Sequence, residues 1–243
     1  MTNPFSAFIK KKILGKDKNL VSLYEPYQVM SRLLKGQKVT GIIDAGASDG
    51  RVSKRFLQRF PAAHVYAFEP NPIYVDTLTK YAKVEPRFHP QFLALSDREG
   101  TANLYVTESP GCTSLLSPGK RLREISPQGA TVKHLEEIRV VTIDGWVKRN
   151  GNPAIQLMKF DIQGAELKAL HGATCLLGGP TLLVYAEICF NPLYNDAAIY
   201  SEVDLFLRKY GFVLYDVFRP KYNPNGMIMW GNAIFLNLKQ VVL

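Results

Sequence analysis

IIDAGASDGRVSKRF, residues 42–56, runs from two isoleucines and an aspartate through small residues into a helical pattern. After Gly50 the apolar residues Val52, Phe56, Leu57 and Phe60 fall at i, i+4, i+5 and i+8. That spacing is one face of a helix, which Pro61 stops. Upstream, TGIID (40–44) reads as a buried strand. Strand, glycine-rich turn and helix in this order start an open α/β sheet, whose ligands bind beyond the carboxyl ends of the strands.

Outward from this stretch, strands and helices alternate, which predicts a mostly parallel sheet with helices on both faces. Residues 24–36 read as an entry helix. HVYAFEP (64–70), QFLALSD (91–97), IQLMKFD (155–161) and TLLVYAEI (181–188) read as further strands. Helices are predicted over 72–83, over 165–177 with Leu167, Leu170, Thr174 and Leu177 on one stripe, and around Val203, Phe206, Leu207 and Tyr210. FVLYDVF (212–218) and AIFLNL (233–238) complete the sheet. Residues 98–154 break the alternation. Two strand-like runs, 101–106 and 138–144, flank about 30 residues rich in Pro, Gly and Ser, with basic Lys120, Arg121 and Arg123. A loop of that length is a functional lid or a disordered segment.

The turn reads Gly46-Ala-Ser48-Asp-Gly50. Dinucleotide binders use G-x-G-x-x-G, so that backbone can approach a pyrophosphate. Here Ser48 replaces the second glycine, and Asp44 at the strand end repels phosphate. A carboxylate there suits a cationic amine, which S-adenosylmethionine carries without any phosphate. Glu69 ends the second strand, 19 residues after Gly50, where a carboxylate takes ribose hydroxyls in either kind of fold. Asp97 follows the third strand, in reach of an adenine amino group. The candidate cofactor-binding set is Asp44, Gly46, Ser48, Gly50, Glu69, Pro70, Ser96 and Asp97.

The 243 residues fit one domain with an elaborated edge, and no apolar run is long enough for a transmembrane helix. The N-terminus has no apolar stretch of signal-peptide length. Three unpaired cysteines fit a reducing cytoplasm and argue against structural zinc. The net charge is +9, a value compatible with simple solubility or with anionic partners. Lys10, Lys11, Lys12, Lys16 and Lys18, interleaved with apolar residues, make either a short interfacial helix or a solvated arm.

LMKFDIQGAELKALHGA (157–173) resembles the FkbM family of S-adenosylmethionine-dependent methyltransferases, with Lys159, Asp161, Gln163, Gly164 and Glu166 matching its K-x-D-x-Q-G-x-E block. IIDAGASDG, AFEPNP (67–72), ALSDREG (94–100), CTSLL (112–116), VVTID (140–144) and YAEI (185–188) continue the resemblance in order. It departs mildly at Ser48 and at Thr113-Ser114. It implies a Rossmann-like, seven-stranded class I methyltransferase sheet with an antiparallel last strand. It further implies O-methylation of a sugar, glycan or secondary-metabolite hydroxyl, with S-adenosylhomocysteine as product. The chain then divides into residues 1–38, a basic arm and entry helix, and residues 39–243, the methyltransferase domain with an insertion around 98–154.

Methyl transfer to a hydroxyl needs alignment and a base. Asp161 and Glu187, each ending a central strand, are the catalytic candidates. Glu166 reads as a stabiliser of a helix N-terminus. Asp161, Glu166 and Glu187 also form an oxygen set for a divalent ion, which is possible but not favoured. The four histidines have no ligand spacing. Alternatives are a nicotinamide-dependent oxidoreductase, opposed by Ser48, Asp44 and the absence of a Y-x-x-x-K pair, and a non-catalytic binding module. An RNA substrate is not favoured, because no RNA-binding module and no D/N-P-P-Y motif follow the fourth strand.

Overall fold

The computed structural model describes residues 25–241. The basic arm of residues 1–24, and the interfacial-helix reading attached to it, lie outside the described residues. The chain enters through α1 (Pro26–Leu33), shorter than the predicted 24–36. β1 (Gly41–Ala45), α2 (Arg51–Arg59), β2 (His64–Phe68), α3 (Val75–Ala82) and β3 (Phe88–Gln91) build the first half of the sheet. β7 (Leu157–Phe160), β8 (Leu183–Cys189), α9 (Tyr200–Arg208), β9 (Phe212–Tyr222) and β10 (Ile228–Asn237) build the second.

The seven strands lie in the order β3-β2-β1-β7-β8-β10-β9. β1, β2, β3, β7 and β8 pair in parallel, and β10 is antiparallel to both neighbours. Every residue of β1 and β7 is buried, as parallel strands covered on both faces require. Alternation then sorts the side chains. Ile43, Met158, Phe160 and Val184 pack under Trp146, Leu170, Leu177 and Phe206. Ile42, Leu157, Leu183 and Tyr185 pack under Met30, Phe56 and Leu78 of α1, α2 and α3. This is the Rossmann-like sheet of class I methyltransferases, antiparallel strand included.

The insertion is ordered and differs from the predicted loop. β4 (Ala94–Leu95), β5 (Gly100–Thr107) and β6 (Val132–Val141) form a separate three-stranded sheet in the order β4-β6-β5. The predicted third strand, 91–97, is therefore split. Residues 88–91 join the main sheet, and 94–95 leave it for the small one. Between β5 and β6 lie α4 (Lys120–Ile125) and α5 (Pro127–Ala130), whose Leu122 and Ala130 pack with Leu193, Tyr194 and Met229. Lys120, Arg121 and Arg123 are exposed on α4.

The predicted strand end at 142–144 is instead the start of α6 (Ile143–Arg149). The predicted helix 165–177 is broken into α7 (Glu166–His171) and α8 (Thr174–Leu177). The break falls at Gly172, where an added Cβ would sit 2.2 Å from the Ser96 carbonyl oxygen. The small sheet leans on this point, and only a glycine lets β4's exit pass. Gly172→Ala is expected to lower unfolding free energy in urea by about 1–3 kcal/mol, the usual cost of forcing atoms into a packed core. An unchanged urea midpoint would mean the two sheets are not locked there.

Candidate functional site

The loop from β1 to α2 turns three times through left-handed backbone, at Gly46 (φ 73°), Ser48 (φ 51°) and Gly50 (φ 78°). A Cβ on Gly46 would lie 1.9 Å from the Asp161 carbonyl, so this glycine admits the exit of β7. The N–H groups of Gly46 and Ala47 both donate to Phe68 O, that of Gly50 to Ala47 O, and that of Ser48 to Glu69 Oε2 at 2.8 Å. The Asp49 carboxylate takes the Arg51 N–H. These amides, which cradle pyrophosphate in dinucleotide folds, are occupied within the protein.

Asp44 corrects the sequence reading. It is fully buried and does not line the pocket. Its Oδ1 pairs with Lys159 Nζ at 3.0 Å, and its Oδ2 accepts from Ser53 Oγ at 2.6 Å. Lys159 also donates to the carbonyls of Ala45 (3.0 Å) and Gly46 (2.8 Å). One buried ammonium therefore ties β7 to the end of β1 and to the first residue of the loop. Burial opposes the charge on Lys159, but Asp44 and then Asp161 overcome it and hold its pKa above the usual lysine range.

The loop opens on a pocket of about 210 Å³ whose lining includes Gly46, Ser48, Glu69, Pro70, Asp161 and Gln163. Its apolar walls are Phe68, Tyr74, Leu93, Leu95, Leu104 and Leu115. Glu69 is buried, with Oε2 on the Ser48 N–H and Oε1 on the Asn71 N–H at 2.9 Å. Burial raises its pKa, and these two N–H groups restrain the rise. Gly50 stands behind the pocket against Leu78. Ser96 and Asp97 do not line it. The chain has crossed to the small sheet by then, and Asp97 is exposed, accepting from Ser96 Oγ at 3.1 Å. Leu93 and Leu95 face the pocket in their place.

At the far wall, Gln163 is the hub. Its Nε2 donates to Asp161 Oδ1 (2.9 Å) and to Glu187 Oε2 (3.2 Å). Its Oε1 takes a hydrogen bond from the Tyr194 hydroxyl at 2.8 Å. So Asp161 lines the pocket, and Glu187 stands behind it on the same amide. Gln163 (φ 58°) and Gly164 (φ 97°) make a left-handed turn. Ser114 Oγ fastens that turn by donating to Gln163 O at 2.8 Å, and accepts from Leu116 N–H. Burial pushes Glu187 well above the ordinary carboxylate range, and Asp161 and Glu166 add to the rise. Glu166 folds back onto the Ile162 N–H at 2.9 Å, in the turn that precedes α7. Burial raises its pKa to about 7, against backbone N–H groups that lower it. Ser114 and Tyr194 were not candidates in the sequence. Ser114 had its motif as a signal, whereas Tyr194 had none, since only folding brings it to Gln163.

Among the described residues, no group of three or more His, Cys, Asp or Glu is arranged to hold a metal ion. Among them no helix is long and apolar enough to cross a membrane.

A sheet of this order with a pocket at the carboxyl ends of β1, β2 and β7 defines a class I methyltransferase fold. The chain belongs to the FkbM methyltransferase family: the methyltransferase FkbM domain model matches residues 44–214. It is similar to the 2-O-methyltransferase NoeI of Sinorhizobium fredii, 29% identical over 192 residues, covering 74% of this chain and 75% of that one. It is also similar to methyltransferase sdnD of Sordaria araneosa, 29% identical over 153 residues and 54% and 59% of the two chains. The crystal structure of an FkbM methyltransferase from Methylobacillus flagellatus KT shares the fold, with TM-score 0.53 and 15% identity. That match covers 82% of this chain and 44% of the solved one, so the chain spans under half of its length.

Two measurements test this arrangement. Lys159→Met strands Asp44 as a buried lone carboxylate and is expected to cost about 3–5 kcal/mol in chemical denaturation. Adding Asp44→Asn should recover part of that loss, and no recovery would deny the coupling. Glu166 prefers its proton when folded, so its contribution to stability is complete below about pH 4.3 and is lost as pH rises through about 7. Glu166→Gln should therefore gain on the wild type between these limits, by on the order of 2–3 kcal/mol. Parallel stability–pH curves would contradict the raised pKa.

Proposed function

We propose that the chain transfers a methyl group from S-adenosylmethionine to a hydroxyl of a sugar, glycan or secondary metabolite. The observation that carries the reading is the Asp161–Gln163–Glu187 array at the wall of the pocket that also holds Glu69. The pocket fits the cofactor by its chemistry. Each Glu69 oxygen accepts one backbone N–H and keeps a lone pair for a ribose hydroxyl. The leucine, Phe68 and Tyr74 walls suit a flat purine. The occupied loop amides deny a pyrophosphate its cradle, which counts against a nicotinamide cofactor. The NoeI similarity supports oxygen as the methylated atom.

S-Adenosylmethionine supplies a sulfonium-bound methyl group with a good leaving group. The chain's part is alignment and proton removal. Asp161 receives the hydrogen bond of the acceptor hydroxyl and orients its lone pair. As the new oxygen–carbon bond forms, the hydroxyl proton passes to a carboxylate of the pair. Gln163 holds both carboxylates at fixed separation, with its own amide oriented by Tyr194. Glu187, with its pKa raised by burial, is a stronger base than an exposed carboxylate.

Calorimetry with S-adenosylhomocysteine, with NADH as control, tests the cofactor. Binding of the first alone is expected, weakened at least about tenfold by Glu69→Ala. Binding of NADH alone would overturn the reading. Asp161→Asn should retain S-adenosylhomocysteine affinity and lose about 10²–10⁴-fold in turnover. Near-wild-type turnover would remove Asp161 from the chemistry.

A further inference from the structure

A second concavity lies on the α1–α2 side of the sheet, between α2, the chain entering α1 and the outer strand β9. Glu25, Arg55, Gln58, Arg59 and Arg219 line a cleft of about 510 Å³. The guanidinium groups of Arg55 and Arg59 stand near the Glu25 carboxylate there, and Arg219 lines the same cleft. Glu25 stands 3.7 Å from Arg55 and 3.5 Å from Arg59, longer than the charge-assisted bonds guanidinium groups make with a committed partner. Glu25 is engaged elsewhere, capping α1 through the Gln28 N–H. No ion pair among the described residues involves Arg219. The segment preceding Glu25 carries Asp17 as its one acidic residue against five lysines, so its sequence offers no surplus of carboxylates.

Arg219 owes its place to a fault in the sheet. β9 and β10 are in register at Phe218 and Asn232 and again at Lys221 and Trp230, so Arg219 and Pro220 oppose Gly231 alone. This is a β-bulge, a device that re-aims a side chain. Arg219 takes φ 50°, backbone that glycine adopts freely and an arginine adopts at a cost of about 1–2 kcal/mol. Strain retained at a charged residue without an ion-pair partner points to function.

The bulge lies toward the carboxyl ends of the strands. Phe218 aligns with Asn232, and Asn232 with Glu187, so Arg219 begins just beyond the level of Glu187 at the carboxyl ends of the strands. Tyr27 meets Tyr185 edge-on at 5.9 Å, and Arg55 lies 5.3 Å over the Tyr27 ring. Two aromatic rings thus separate the arginine cleft from the carboxylate site.

The geometry points to a phosphoryl-binding site. Arg55, Arg59 and Arg219 grip a phosphate or diphosphate in a cleft that shares no lining residue with the Asp161 pocket. Three guanidinium charges less the Glu25 carboxylate leave two positive charges, which a phosphate dianion balances and a single carboxylate does not. Planar guanidinium forks match phosphate oxygens in pairs.

The test is calorimetry with inorganic pyrophosphate, on the wild type, Arg219→Gly and the Arg55→Ala/Arg59→Ala double variant, each with S-adenosylhomocysteine bound. Wild type is expected to bind pyrophosphate, more weakly as salt rises, and each variant at least about tenfold more weakly still. Arg219→Gly relieves the backbone, so its thermal midpoint should match or exceed that of the wild type. If it fails to fold, the bulge argument falls, and the exposed double variant alone decides the subsite. Glucose 1-phosphate and UDP-glucose, run in parallel, separate a sugar phosphate from a nucleotide-linked sugar. Methyl glucuronide is the carboxylate control.

No pyrophosphate binding, equal binding by all three proteins, or methyl glucuronide binding as tightly would overturn the subsite. S-adenosylhomocysteine is titrated separately. If it fails to bind while pyrophosphate binding follows the arginines, the methyl-transfer reading falls and the oxyanion site stands. If it binds and pyrophosphate does not, only this inference falls.

Discussion

The buried pair of Lys159 and Asp44 is the constraint around which the site is organised. An ammonium away from water must satisfy all three protons, and this one does so on Asp44, Ala45 O and Gly46 O. Those three acceptors fix the end of β1 against β7 at the point where both strands open. A hydrophobic pair of equal volume could stabilise the core as well. It could not orient two carbonyls. Lys159 instead sets the angle at which the chain leaves β1, and so where Ser48 delivers its N–H to Glu69.

From that anchor the site divides into a rigid floor and a latched wall. Glu69 draws in the β1 loop through Ser48 and its own following turn through Asn71. Gln163 joins the two strand-end carboxylates, and Ser114 and Glu166 hold the left-handed turn that presents it. Pro110, Gly111, Thr113 and Leu115 form part of the pocket lining. The inserted region therefore serves as a packed side of the site, secured to Leu193 and Tyr194 through α4 and α5. The two half-buried carboxylates are held near each other by the one amide that donates to both.

The β9 bulge shows where such a sheet can depart from regular pairing. Central strands of a parallel sheet have no freedom to bulge, since both faces are covered and both neighbours are paired. The outer antiparallel pair has that freedom. Gly231 accommodates the bulge, with an added Cβ only 3.1 Å from Val217 Cγ1. The family model ends at residue 214, just before this segment.

The sequence by itself determined the sheet, the loop after β1 and the carboxylates that could matter, because burial on both faces and turn chemistry leave local signatures. IIDAG could only be a covered strand entering a tight turn, and Asp161, Glu69 and Glu187 were legible as strand-end acids. Tertiary structure decided which acids face the pocket. Asp44 and Asp161 look alike in sequence, but Asp44 lies two residues deeper in the sheet, paired with Lys159, while Asp161 stands past the end of β7. Asp97 lost its role because the chain changes sheets between Gln91 and Ala94, a switch of pairing partner with no local signal. The helix break at Gly172, the hub at Gln163 and the contact with Tyr194 belong to the same kind. Each depends on what a distant segment brings within a few ångströms, and periodicity along one chain carries no record of that.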